Sequence, residues 1–210
     1  MNDVAAPTVS RKRAAVTVVA ALAAAGVAVG ALWSWLAPPI HGVVALTRDG
    51  DRIRAYLGNE GDHFFVAAFL LVGMVCAVAV VAAVWVWQWR AHRGPVLTAA
   101  LAAGCALGAG VAAGVGALIV RLRYGVVDVA AAPVSEQHRV HYVVEAPPVF
   151  FGLSPFQAAL TILFPAAIAA LVYSLTAVST ARDDLGAWPP VEEPVLGPPL
   201  TAESVPPAGR

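Results

Sequence analysis

The run from His63 to Arg90, HFFVAAFLLVGMVCAVAVVAAVWVWQWR, has no charged residue between Phe64 and Trp89. At about 1.5 Å of rise per residue it is long enough to cross a hydrocarbon layer about 30 Å thick with some tilt. It closes on Trp85, Trp87 and Trp89, and then Arg90. That is the order expected where a helix leaves lipid for water: amphipathic rings at headgroup depth, then a cation. A chain with such a segment folds in a bilayer, and the rest of it is read with lipid as the solvent. Composition agrees. Of the 210 residues, 60% are apolar and 12% charged, against about 45–50% and about 25% in a soluble domain. The formal charge is zero, so no basic field invites nucleic acid.

Three more spans follow from the same reasoning. Arg11, Lys12 and Arg13 precede an apolar run over 14–37. The run is too long for a signal-peptide core. Trp33, Trp35, Pro38 and Pro39 also stand where a small-residue cleavage site belongs, so it reads as an uncleaved first span that the prolines stop. The second span covers 63–89 and the third 96–120, with Pro95 suited to a first helical turn. The fourth covers 155–180 and opens on Ser154, Pro155 and Gln157, a capping-box pattern with proline at the first helical position. Between them lie 1–13, a loop at 38–62, a short loop at 90–95, a loop at 121–154 and a proline-rich tail at 181–210. The tail is too polar and proline-rich to bury a core and is expected to be disordered.

The two long loops carry strand signals. Residues 42–47 are rich in β-branched and apolar residues, Asp49-Gly50 is a hairpin turn signal, and 52–57 alternates. Ile53, Ala55 and Leu57 share one face, and Arg52, Arg54 and Tyr56 the other. Such a hairpin is marginal alone and needs a third strand or a membrane surface. His138 to Glu145 supplies a candidate third strand. Asn59 or Asp62 is placed to cap the second span. The expected fold class is an all-α membrane protein: four transmembrane helices with a small extracytoplasmic β element from the two outer loops.

Four spans put both termini on one side. Arg11, Lys12 and Arg13 and the short Arg90/Arg93 loop favour termini inside, because short clustered loops weigh most. Arg121 and Arg123 pull the other way. The expected location is the bacterial inner membrane, multi-pass, with both termini cytoplasmic and both long loops outside. Glycines at Gly26/Gly30, Gly104/Gly108 and Gly110/Gly114 have the spacing that lets helix backbones approach closely. They suit packing between spans one and three and their neighbours, and they also suit a homo-oligomer.

The chemistry is sparse. No span has an ionisable residue in its middle, which argues against ion-coupled transport. Cys76 and Cys105 lie inside spans and read as small buried apolar residues. His138, His141 and His63 are the candidate metal ligands of the outer loops, but His138 and His141 on one strand would face opposite ways. Ser135 and Ser154 lack a nucleophile-elbow context, and there is no phosphate loop or dinucleotide fingerprint. No catalytic residue, cofactor or complete metal site is read. Arg52, Arg54, Tyr56, Phe150 and Phe151 are the candidate partner contacts.

The segments APPIHGVVALTRDGDRIRAYLGNEGDHFF (37–65), VWQWRAHRGP (86–95), AAAPVSEQHRVHYVVEAPPVFFG (130–152) and RDDLGAWPPVE (182–192) carry a family resemblance. Together they resemble a family of actinobacterial, largely mycobacterial, four-span membrane proteins known only as a domain of unknown function. The resemblance runs from span one to the start of the tail. It implies an inner-membrane protein of an organism with a complex envelope, and it implies no activity and no site residue.

The function expected is that of a non-enzymatic accessory or scaffold subunit that meets a protein partner of the envelope through its outer loops, in contact with membrane lipid. The alternatives are a lipid or small-molecule handling protein or transporter component, and an outer-face metal-binding protein.

Overall fold

The computed structural model describes residues 9–181 and Leu185, so the expectations for the first eight residues and for the proline-rich tail lie outside the described residues. Four helices dominate: α1 (Arg11–Leu36), α2 (Asp62–Trp87), α3 (Pro95–Tyr124) and α4 (Pro155–Val178). They have 26, 26, 30 and 24 residues, or about 36–45 Å of length. All four are long and apolar enough to cross a membrane. This is a multi-pass membrane protein. Three strands, β1 (Ile40–Leu46), β2 (Arg52–Tyr56) and β3 (Val140–Glu145), form one antiparallel sheet in the order β2-β1-β3. The expected fold class, four membrane-spanning helices with a small β element from the two long loops, is the one observed.

Local chemistry sets the boundaries. Ser10 caps α1 by accepting from the Arg13 N–H. At the other end Ala37 is extended because Pro38 follows it. Ser154 and Gln157 form the complete capping box of α4. The cap expected for α2 is not formed by Asn59 or Asp62. Gly61 occupies that position in a helical conformation, so the turn winds straight into the helix and no side-chain oxygen reaches the free N–H groups. Asp62 instead lies in the first turn, where its charge suits the dipole. α3 runs on to Tyr124, with Arg121 and Arg123 complementing its carboxyl end, and stops at Gly125, whose φ is +70°.

The strands also differ slightly from the sequence pattern. β1 starts at Ile40 because Ile40 pairs with Glu145 of β3. β3 starts at Val140 because Ser135 and His138 exchange backbone hydrogen bonds in a turn just before it.

α1 and α3 are the most intimate helix pair. A Cβ at Gly30 would stand 2.5 Å from the Ala112 carbonyl oxygen, and one at Gly26 would collide with Gly108. A Cβ at Gly104 would meet the Leu22 side chain at 2.7 Å. Each step of four residues along α1 is matched by four along α3, so the two helices run parallel. Backbone-to-backbone contact of this kind replaces the hydrophobic driving force that lipid cannot supply. Two apolar clusters fill the bundle. One includes Val18, Leu22, Leu101 and Tyr173, toward the end with the start of α1 and the close of α4. The other includes Trp33, Leu71 and Val120, toward the sheet. The fully buried Trp33 indole donates to the Ala67 carbonyl at 2.8 Å and ties α1 to α2.

Candidate functional site

The sheet has two unlike faces, and the register assigns every residue to one. Ile40, Gly42 and Val44 of β1 stand opposite Glu145, Val143 and His141 of β3, and Gly42, Val44 and Leu46 stand opposite Tyr56, Arg54 and Arg52 of β2. Ile40 and Val44 are fully buried. On this face Tyr56 packs edge-on against Phe64 of α2, with ring centroids 5.1 Å apart. Arg54 pairs with the carboxylate of Glu145. This face, polar side chains included, is therefore turned toward the helices.

The other face carries His41, Val43 and Ala45, Ile53 and Ala55, and Val140, Tyr142 and Val144, and is apolar except for His41 at its edge. It points away from the helices and is uncovered: Ile53 is 49% exposed, Val140 50%, Tyr142 72% and Val144 41%. An apolar sheet face left open is the reverse of the usual amphipathic arrangement, where the apolar side packs inward. From strand spacing and rise its footprint is about 250 Å². Adjoining contact at the rim is needed to reach the area of a stable protein interface, about 800 Å² per partner.

Beside the sheet, one carboxylate gathers two histidines. Glu60 Oε2 accepts from the His41 backbone N–H at 2.9 Å and lies 3.1 Å from His41 Nδ1 and 3.0 Å from His63 Nδ1. His63 Nδ1 also reaches the Pro39 carbonyl at 3.0 Å. The His41 N–H is the main cause that holds the Glu60 carboxyl below its ordinary range, assisted by both imidazoles and opposed by burial. The cluster straps the start of β1 to the start of α2.

At the opposite end His92 is buried, and its Nε2 donates to the Val9 carbonyl at 2.7 Å. Its Nδ1 has no partner among the described residues. Arg93 donates from Nε to the Trp87 carbonyl at 2.9 Å, lies 4.0 Å above the Trp87 ring, and donates from Nη1 to the Leu185 carbonyl at 2.9 Å. Trp87 in turn packs edge-on against Tyr173 of α4. The short loop between α2 and α3 therefore locks the beginning of the chain to the end of α4. Between α1 and α2, on this same half of the bundle, lies an open apolar cleft of about 710 Å³.

The residues singled out by sequence fall in several places. Arg54 and Tyr56 are engaged by Glu145 and Phe64, and Arg52 is exposed at the start of β2. Phe150 packs against the cluster that holds Trp33, and Phe151 lies against Phe65 with centroids 5.3 Å apart. His63 belongs to the Glu60 cluster. His138 is in the turn before β3, where its backbone N–H donates to Ser135 Oγ, and His141 is on β3. No group of three His, Cys, Asp or Glu side chains suited to a metal occurs among the described residues. Of the six helix glycines singled out by their spacing, Gly26, Gly30, Gly104 and Gly108 are used between α1 and α3, whereas Gly110 and Gly114 have nothing within 4 Å of an added Cβ. Sequence reasoning missed the Glu60 cluster and His92. Closing the hairpin would have found the first, since pairing Gly42 with Tyr56 carries His41 toward the turn that holds Glu60.

Residues 22–187 match the model of a family described as Protein of unknown function (DUF2567). The chain is 55% identical over 172 residues to the uncharacterized protein Rv1591 of Mycobacterium tuberculosis, covering 81% of this chain and 89% of that one. It is 50% identical over 186 residues to the uncharacterized protein ML1222 of Mycobacterium leprae, covering 89% and 93%. No solved structure matches the chain.

Proposed function

The chain belongs to the DUF2567 family of membrane proteins, and on that premise we propose that it is a non-enzymatic scaffold subunit of the bacterial plasma membrane that holds an extracytoplasmic protein through the open apolar face of its sheet. The observation that carries this reading is the inverted sheet. Arg54, Tyr56 and Glu145 have partners within the protein, with Arg54 and Tyr56 still part-exposed, whereas Ile53, Val140, Tyr142 and Val144 have no cover. An apolar patch of about 250 Å² is a small one for an interaction site, and the rim completes it. Tyr142, midway along the edge strand β3, is a large exposed ring suited to anchor a protein partner. Arg52, at the start of β2, and Phe151, beside Phe65, are suited to its rim.

The orientation rests on the positive-inside rule. Arg11, Lys12, Arg13, Arg90 and Arg93 cluster in short segments at the end with the start of α1 and the α2–α3 loop, which favours that end as cytoplasmic. The sheet is then outside. A scaffold role suits spans with no ionisable group in their middle. The metal-binding alternative gains no support from the described histidines.

The test is purification of the tagged full-length chain from its own host in a mild detergent. An equimolar protein is expected to accompany it. Tyr142→Asp is expected to release that protein, and Leu171→Ala, on the exposed side of α4, to retain it. Absence of an equimolar protein, or one indifferent to Tyr142→Asp, overturns the reading.

A further inference from the structure

We propose that the cleft between α1 and α2 is a binding site for one anionic phospholipid, with its acyl chains in the cleft and its phosphate at Arg13 and Arg90. This inference is independent of the docking role of the sheet.

The cleft is graded along its length. Its deep part is made by Ala21 and Ala25 of α1 with Ala77 and Val81 of α2. Their small side chains leave the space between the two helices unfilled, which is the slot. Its polar groups all lie at one end: Thr17, Gln88 and the indoles of Trp85 and Trp89. Tryptophan at that level marks the headgroup zone. From Trp89 to Ala77 the slot follows α2 for about 18 Å. One leaflet of the hydrocarbon layer is about 15 Å deep. The slot therefore spans from headgroup level to the bilayer midplane, the depth occupied by the chains of one lipid.

Charge selects which lipid. Arg13 lies one turn beyond Thr17 on the same ridge of α1, as Thr17 does beyond Ala21. The Thr17 hydroxyl donates to the Arg13 carbonyl at 2.8 Å. Arg90 directly follows Trp89. Both arginines are exposed, and neither forms an ion pair among the described residues. Each cation thus stands just beyond a residue that lines the polar mouth, Arg13 a turn beyond Thr17 and Arg90 next to Trp89. Their complement is a net negative headgroup on hydrocarbon chains, whereas a zwitterionic lipid offers the same phosphate but brings its own ammonium beside the two arginines.

The test is native mass spectrometry of the full-length chain released from detergent after titration with equimolar phosphatidylglycerol and phosphatidylcholine. One phosphatidylglycerol per chain is expected, with a preference of about tenfold or more over phosphatidylcholine. Arg13→Gln combined with Arg90→Gln is expected to abolish the preference while leaving weak retention of both lipids. Both side chains are exposed, so the melting temperature should be unchanged. Ala21→Phe combined with Ala77→Phe is expected to fill the slot and remove both lipids. Arg48→Gln, near the sheet, serves as the control and should behave as the wild type. Equal retention of the two lipids, a preference that survives Arg13→Gln/Arg90→Gln, or a lipid-free dimer at twice the chain mass each overturns the proposal. The last would assign the slot to a second copy.

Discussion

Arg54 and Glu145 stand on the two edge strands of the sheet, yet they pair on its inner face across the central strand. Their diagonal crosses β1 at Gly42, between the buried Ile40 and Val44. The absence of a side chain at Gly42 clears that path. The pair joins the two long loops of the chain. Glu145 is nearly buried, and its Oε1 has no partner among the described residues, so it depends on Arg54.

Removing one partner should therefore cost more than removing both. Arg54→Ala strands the Glu145 carboxylate. The loss expected is about 1–3 kcal/mol, below the figure for a fully buried pair because Arg54 is 37% exposed. Arg54→Gln with Glu145→Gln should recover much of it. Thermal unfolding in detergent, run as a double-mutant cycle, measures the coupling.

The α1–α3 contact separates two kinds of glycine. Gly30→Leu forces backbones apart where a Cβ already stands 2.5 Å from the Ala112 oxygen, and should cost about 1–3 kcal/mol or more. Gly114→Leu enters open space and should stay within about 0.5 kcal/mol of wild type. Melting temperatures of the two variants, compared in the same detergent, check this.

The Glu60 strap makes stability depend on pH in a definite direction. Its carboxyl is held below the ordinary value of 4.5, first by the His41 N–H. A carboxyl depressed in the folded state contributes stability that is complete above the unfolded value and lost as pH falls through the folded one. Melting temperature should therefore decline as pH drops below about 4.5, and Glu60→Gln should flatten that part of the profile. A variant that declines as steeply as wild type would show that Glu60 does not contribute.

Much of this was legible in the sequence because lipid imposes strict rules. Unbroken apolar runs and the Ser154–Gln157 capping box each have one physical reading, and the four long apolar helices and the capping box are observed. The alternation of Ile53, Ala55 and Leu57 against Arg52, Arg54 and Tyr56 was legible too. Which side faces inward was not. That depends on Glu145 and Phe64, distant in sequence from Arg54 or near only through the turn, which receive the polar side. The same holds for His92, whose burial depends on Val9 of a different segment. Local pattern fixes the two faces of an element, whereas tertiary partners decide between them.

The open sheet face is tested most directly by a photoreactive phenylalanine analogue placed at position 142 in the full-length chain, with irradiation of intact host cells. The account predicts one discrete protein adduct from position 142. The same analogue at Leu171, 56% exposed within α4, should yield none of that adduct. Adducts from position 142 that contain only lipid, or only a second copy of this chain, would contradict it.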